Sequence, residues 1–507
     1  MIKSTAILLD SAAFFAGLLF TLAFAPFEQS YLAIAALTVL FYTWQGAAAR
    51  RAAIRGYLFG LAQFGLGVSW VYVSIHDYGG ANSLVASLLT VLFCGFWALF
   101  PALAGYVAGK LSHWRPGGWI WLAFPCIWIL VEYLRGEWIF NGFPWLMTGY
   151  SQLDTPLAGY IPVLGNYCAG FLVALTAAIV LLLVECRKSL SIVAASVVLC
   201  LWLTGRLLQG IAWTHPVGDT ITVAMIQGNI DQKNKWLPEY RKKILRTYQQ
   251  LTERHWREQI IIWPETAVPA FYDQVSEKYL GPLALKARKH DTDLIISAPV
   301  RSQKKNEYFN AVLTLGKAKG IYKKVHLLPF GEYLPLQPLS GFLLQTLKIP
   351  LGSFTAGSRN QPLLKAAGYP FIATICYEDA FSRAGTGNIA EAAFLLNVTN
   401  DAWFGDSLEP HQHMQIARMR ALESGRYLLR ATNSGVSAVV APDGQIRSQA
   451  PLFVTTVLSA TFHPMGGTTP FNFFGDWPII LLCSLFLIMI AVINFTQFTE
   501  ESVNHHN

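Results

Sequence analysis

Residues 371–381 read FIATICYEDAF. An apolar, β-branched run leads into Cys376, and an aromatic residue and two acids follow at once. Such a run predicts a buried strand that stops at the thiol. Loops at the ends of a rigid sheet are common places for chemistry. The acids are the puzzle, because a negative neighbour makes a thiolate harder to form. Cys376 is the only one of seven cysteines between residues 211 and 475, so that segment can form no internal disulfide. The plain reading is an inert core cysteine, and the alternative is a thiol in use.

Around this stretch, short apolar runs alternate with polar helical ones. Strands are expected at 220–230, 259–266, 292–300, 308–316, 320–328, 370–377, 392–400 and 435–442, and helices at 238–257, 275–289 and 410–426. Continuous apolar strands mixed with helices predict a layered α/β domain whose sheet is covered on both faces. At about 265 residues the segment is large enough to fold as one unit.

The rest of the chain has another character. Its 507 residues are 53% hydrophobic and 13% charged, with mean hydropathy +0.38. Soluble globular proteins carry about 25% charged residues. The shortfall points to a membrane protein. Seven apolar stretches precede residue 210, near 5–25, 30–46, 55–75, 84–109, 118–135, 161–185 and 189–208, and an eighth lies near 477–497. Each approaches the roughly 20 residues that a spanning helix needs. Net charge is +8, but the basic residues do not cluster on a soluble face, so no nucleic-acid partner is expected. Lys3, Arg50, Arg51, Arg55, Lys110, Arg115, Arg187 and Lys188 fall before the first span or in alternate loops. By the positive-inside rule both termini are cytoplasmic, and residues 211–475 lie outside, on the periplasmic face in a bacterium. The expected division is a seven-span membrane domain (1–210), an outer catalytic domain (211–475), and an eighth span with a cytoplasmic tail (476–507).

Two further groups suit the thiol. IIWPETAVP places Glu265 just past an apolar strand, and YKKVHLLPFGEYLP places Lys324 on a strand with Glu332 in the turn after it. A carboxylate shielded from water can take a thiol proton. An ammonium can stabilise both the thiolate and an oxyanion. Taken singly, Glu265 reads first as a strand-end surface acid and Lys324 as a solvated lysine. Strand alternation puts Lys323 and Lys324 on opposite faces without saying which points inward.

The order Glu, Lys, Cys within WPET, YKKVHLLPFGEY and CYED resembles the nitrilase superfamily, carbon–nitrogen hydrolases with an αββα sandwich. Such a domain between a seventh and an eighth span resembles one branch, the apolipoprotein N-acyltransferases. Further likeness lies in GLLFTLAFAPF (17–27), NGFPWLMTGYSQ (141–152), QGNIDQKNKW (227–236), NVTNDAWFGDS (397–407) and RATNSGVSAVVAPDG (430–444). The resemblance implies Glu265 as general base, Lys324 as stabiliser of the tetrahedral intermediate and Cys376 as nucleophile. It implies Glu332 and Glu378 as supporting acids and Tyr377 as shaping the oxyanion surroundings. Trp236, Asn310 and Trp403 would hold substrate or mobile loops. The implied reaction is ping-pong. Cys376 takes an acyl chain from a phospholipid, typically phosphatidylethanolamine, and passes it to the α-amine of a diacylglyceryl-cysteine apolipoprotein. No cofactor or metal is implied, and nothing requires more than a monomer.

The trio alone fits a membrane-tethered amidase equally well, with water as acceptor; the apolar spans favour a lipid substrate. A transporter reading would need charges facing one another across mid-span, and these are mostly absent. The apolar stretch 334–354 is expected to be a membrane-dipping lid. His411 and His413 have a spacing that hints at a metal, but without a third ligand a surface role at a helix start is expected. Arg135 and Glu137 are expected as interfacial anchors, while Asp10 and Glu132, acids in or beside spans, are left unassigned.

Overall fold

A computed structural model describes residues 2–114, 120–184, 188–302, 304, 307–334, 354–382 and 389–504. The expected lid falls almost wholly outside them, as do Arg115, Arg187 and Cys186. The chain divides into two compact units. One comprises Met1–Ser69, Ser87–Ile211 and Phe473–Asn507, the other Trp70–Ala86 and Ala212–Asn472.

The first unit is helical, with helices Ile2–Thr21, Tyr31–Trp44, Ala49–Gly67, Leu99–Trp114, Ile120–Tyr133, Ile161–Val184, Lys188–Leu208 and Trp477–Asn504. All eight expected apolar stretches coincide with helices. By length and apolarity, two described helical stretches suffice alone to cross a bilayer, Ser83–Leu111 and Pro156–Val184. The expected third span instead bends by 59° between Ala49–Gly67 and Val71–Tyr78. Glycine lets these helices approach closely: a Cβ on Gly17 would lie 2.1 Å from the Phe59 carbonyl oxygen, and one on Gly56 2.1 Å from that of Pro101. Arg51 and Arg55, read above as loop charges, lie in helix Ala49–Gly67 and both pair with Asp10. Arg135 is not an interfacial anchor. It is 2% exposed and donates to the carbonyls of Phe143 and Trp145, each at 2.7 Å. Glu132 is likewise occupied, accepting from the Thr148 N–H at 3.0 Å and its hydroxyl at 2.8 Å. Charged groups this deep persist only with such partners.

The second unit is a four-layer sandwich. Its strands are β1 (Thr214–Pro216), β2 (Ile221–Gln227), β3 (Ile260–Ile262), β4 (Asp293–Arg301), β5 (Tyr308–Leu315), β6 (Gly320–Lys323), β7 (Leu364–Ala366), β8 (Tyr369–Ile375), β9 (Phe394–Thr399), β10 (Leu428–Thr432), β11 (Ala438–Val440), β12 (Ile446–Gln449), β13 (Thr456–Phe462) and β14 (Met465–Gly467). Two six-stranded sheets form, ordered β13-β2-β3-β4-β5-β6 and β12-β11-β10-β9-β8-β7. Within them β2, β3 and β4 run parallel, as do β8, β9 and β10. The two stacked sheets match the αββα sandwich that the resemblance implied, where the strand pattern alone predicted only a covered sheet.

Strand alternation explains the layering. Val223, Met225, Ile260, Ile262, Ile295 and Val312 face Phe371, Ala373, Ile375, Phe394, Leu396 and Val398 in the core between the sheets. The intervening residues Ala224, Ile226, Ile261, Leu294 and Ile296 pack with Ile244, Leu245, Tyr248 and Leu283 of helices Pro238–Glu253 and Gly281–Lys289. On the other outer face Leu428, Ala438 and Val440 meet Met414, Ala417 and Ala421 of helix Glu409–Ser424. Each large side chain buried this way contributes roughly 1.5–3 kcal/mol. Phe371 and Phe394 stack across β8 and β9 with centroids 4.9 Å apart. In the full-length protein in detergent, Phe394→Ala should cost about 3–5 kcal/mol of sandwich stability. A lower urea midpoint by tryptophan fluorescence is expected; an unchanged one contradicts this packing.

Candidate active site

The candidate residues follow the ends of strands in both sheets. Glu265 comes three residues after β3, Lys324 directly after β6, and Cys376 directly after β8. The open choice between the two lysines is resolved by burial. Lys324 is 1% exposed, whereas the Lys323 ammonium lies over the Phe309 ring, 4.3 Å from its centroid.

Lys324 Nζ lies 2.7 Å from Glu332 Oε2. Asn310, on β5, ties the two acids together: its amide Nδ2 donates to Glu265 Oε1 at 2.8 Å and to Glu332 Oε1 at 3.3 Å. The Leu328 N–H donates to Glu332 Oε2 at 2.9 Å. Asn310 Oδ1 is buried without a hydrogen-bond partner among the described residues, an unused acceptor at the site. Burial raises the pKa of Glu265 and Glu332 adds to the rise, while Lys324, Lys235 and the Asn310 bond pull it down. Burial works against the charged form of Lys324. The carboxylates of Glu332, Glu265 and Glu378 outweigh it and hold the ammonium firmly protonated.

Glu378 is fully buried and works through the backbone. Its carboxylate accepts from the N–H groups of Val325 (2.7 Å), His326 (2.9 Å) and Ile375 (2.8 Å), and from the Tyr322 hydroxyl (2.9 Å). One carboxylate thus pins the segment after Lys324 to the residue before Cys376. Burial pushes its pKa up to about 7, even with Lys324 and those three N–H groups favouring the anion. Cys376 itself has φ +52°, a left-handed backbone that costs of order 1–3 kcal/mol unless its surroundings impose it. Asn397 Nδ2 donates to the Cys376 carbonyl at 3.2 Å, and Arg430 Nη1 donates to Asn397 Oδ1 at 2.8 Å.

That arginine belongs to a buried ionic cluster between the second sheet and helix Glu409–Ser424. Arg430 pairs with Asp379 (3.0 Å) and Asp401 (3.2 Å). His413 Nε2 lies 2.8 Å from Asp379, and its Nδ1 lies 3.0 Å from Asp401 and 3.3 Å from Glu409. His413 is 1% exposed, so its expected surface role is wrong; helix Glu409–Ser424 is enclosed along most of its length. Burial and Arg430 disfavour the imidazolium, but Asp379 and Asp401 outweigh them and hold His413 charged. Asp401, Glu409 and His413 could approach a cation, yet Arg430 and the imidazolium already supply the positive charge among these acids.

Tyr377 is buried with its ring 5.1 Å from Phe381, edge to face. Trp236 is 46% exposed, and Trp403 is half-buried with its ring 5.7 Å from Tyr78. Sequence reasoning missed Lys235, Asn397, Arg430 and Asp379. The only signal for Lys235 was its place beside Trp236.

The thiol answers the opening puzzle. Burial pushes the half-buried Cys376 up to about 12 and Glu265 adds to this, while Lys324 and His413 pull it back. The resting group is a neutral thiol coupled to a carboxylate and an ammonium. Removing the Lys324 charge must raise it further. In Lys324→Met, alkylation of Cys376 by a small haloacetamide at fixed pH should slow about tenfold for each unit of that rise. Unchanged or faster alkylation would contradict the coupling.

A thiol, a shielded carboxylate and a buried ammonium at the strand ends of a two-sheet sandwich define a carbon–nitrogen hydrolase-type centre. The carbon–nitrogen hydrolase family model matches residues 222–467, and that of the apolipoprotein N-acyltransferase N-terminal domain matches residues 16–179. An apolipoprotein N-acyltransferase of Methylococcus capsulatus is 48% identical over 475 residues, covering 92% of this chain and 93% of that protein. One of Nitrosomonas europaea is 40% identical over 491 residues, covering 96% of this chain and 97% of that protein. Among solved structures, Saccharomyces cerevisiae Nit3 of the nitrilase superfamily matches at 17% identity and TM-score 0.37, over 49% of this chain and 92% of that one, too distant to add to the assignment. The chain belongs to the apolipoprotein N-acyltransferase family.

Proposed function

We propose that this chain takes an acyl chain from a phospholipid, with phosphatidylethanolamine as the typical donor, and delivers it to the N-terminal amine of a diacylglyceryl-cysteine apolipoprotein. Family membership makes it an acyltransferase of lipoprotein biosynthesis. The observation that carries the mechanism is the buried set gathered at the strand ends: Lys324 2.7 Å from Glu332, Asn310 joining Glu332 to Glu265, and Cys376 directly after β8. Glu265 accepts the Cys376 proton, and the thiolate attacks the ester carbonyl carbon. Lys324 stabilises the resulting oxyanion. The ester C–O bond breaks, Glu265 returns the proton to the leaving glycerol oxygen, and lysophospholipid departs. The acceptor's α-amine then attacks the thioester, its proton passes to Glu265, the C–S bond breaks, and the thiolate recovers the proton. Asn310 holds the two acids in register, Glu378 and Asn397 hold the strand ends, and Trp236, Trp403 and Tyr377 line the approach. None of these steps calls on a cofactor.

Membrane residence follows from the helical unit. Ile7, Leu8, Leu88, Ile192, Leu207 and Leu485 are exposed large apolar side chains, costly in water and suited to lipid. The topology proposed is eight spans in the bacterial inner membrane, with a seven-span domain at 1–210, a catalytic domain at 211–475 on the periplasmic face, and an eighth span and tail at 476–507. Both termini are cytoplasmic, and the working unit is a monomer. Both substrates carry chains worth about 0.8 kcal/mol per buried CH₂, which favours catalysis at the bilayer over extraction into water.

Incubating the purified protein with phospholipid alone, then digesting it for mass spectrometry, should show an acyl adduct on Cys376 that is absent in Cys376→Ala. Adding a diacylated lipopeptide should give the amide. Free fatty acid in its place would make the enzyme a hydrolase, and no adduct would overturn the thioester route.

A further inference from the structure

Lys235 stands close to the proposed base but has no role in the steps above. It is 2% exposed, and its ammonium donates to the Glu265 main-chain carbonyl at 3.2 Å. That is its only hydrogen bond among the described residues, so two of its three N–H donors are unmatched. A buried ammonium is costly unless charge nearby compensates it. The charge it answers lies in the carboxylates. Asn310 holds Glu265 and Glu332 on a single amide group, so two like charges share one enclosed site. Lys324 pairs directly with only one of them, Glu332. With Lys324 alone, two carboxylates would face one cation, and burial would force a proton onto the pair.

We propose that Lys235 is the second cation of this centre, a positioning residue whose charge keeps Glu265 ionised and able to accept a proton while Lys324 is engaged by Glu332. The inference rests on the reading of Glu265 as the base. Glu265 is faced by Lys324 after β6, Glu332 in the following turn, Lys235 before helix Pro238–Glu253, Cys376 after β8, and the neutral amide of Asn310 on β5. The Lys235 ammonium brings a second cation to an enclosed site that holds the Glu265 and Glu332 carboxylates, and a water-poor site tolerates such charges only when opposite ones accompany them. Burial lowers Lys235 to about 8, while the Glu265 carboxylate acts in the opposite sense, so the side chain remains largely cationic at neutral pH.

The test is the pH dependence of thioester formation on Cys376, measured by quenched mass spectrometry on full-length protein in phosphatidylethanolamine-containing proteoliposomes. Losing a nearby cation raises a carboxylate pKa, so the acid limb in Lys235→Met should move at least one unit toward alkaline pH. Below that limb each unit lowers the rate about tenfold, and raising the pH should restore much of the loss. Lys235→Arg keeps the charge and should leave the limb at its wild-type position even if its rate falls. A Lys235→Met profile that is unshifted, or uniformly lowered at every pH, overturns the proposal, as does the same shift in Lys235→Arg. If adduct formation survives in Glu265→Gln or Cys376→Ala, the underlying reading fails instead. An adduct lost in those two but unshifted in Lys235→Met removes this inference alone.

Discussion

Charge withheld from water is the constraint on which the catalytic sandwich depends. At the strand ends, Lys324 and Glu332 face each other at 2.7 Å with almost no solvent. Each would be prohibitively placed alone, and removing one partner of such a pair typically costs 3–5 kcal/mol. The pair therefore needs its elements held in register, and the fold supplies this through backbone bonds. Glu378 binds the segments after β6 and before Cys376 at once. Asn310 extends the same order to Glu265.

The nucleophile inherits both the benefit and the cost. An enclosed sulfur among acids is poor at forming a thiolate, and that is compatible with the proposed function because Lys324 and Glu265, the proposed oxyanion stabiliser and base, are already assembled beside it. The strained Cys376 backbone is held from behind by Asn397, Arg430 and the buried cluster around His413. That cluster occupies space on the outer face of the second sheet where apolar packing would otherwise continue. Its acids Asp379, Asp401 and Glu409 are engaged by Arg430 and His413, and this enclosure favours a supporting function over direct contact with substrate.

Much of this was legible in the sequence, and the failures share a physical reason. Runs such as TITVAMIQ and FIATI announce buried strands because both of their faces are covered. Glu265, Lys324 and Cys376 were readable as strand-end residues, but period-2 alternation could not choose between Lys323 and Lys324; only packing against Phe309 and Glu332 separates them. Short strands such as β7 and β12, of three and four residues, carry too little pattern to stand out. His413, Arg430 and Lys235 were misread or missed because their partners lie far along the chain: Asp379 is 51 residues from Arg430, and Glu265 is 30 from Lys235. A charged residue in a polar stretch looks solvated until the fold brings its counter-charge. Arg135 misled for another reason: its partners lie only 8 and 10 residues on but are main-chain carbonyls, which side-chain pattern does not reveal.

Activation of a thiol that rests protonated is the core of this account, and titration of that thiol examines it most directly. Ultraviolet thiolate absorbance, taken as the difference between the protein and Cys376→Ala, should show no thiolate at position 376 from neutral pH up to about pH 9, above the ordinary cysteine value of roughly 8.5. A difference signal with a midpoint at or below that ordinary value would mean a preformed thiolate, and would contradict the picture of an acid-enclosed sulfur awaiting its substrate.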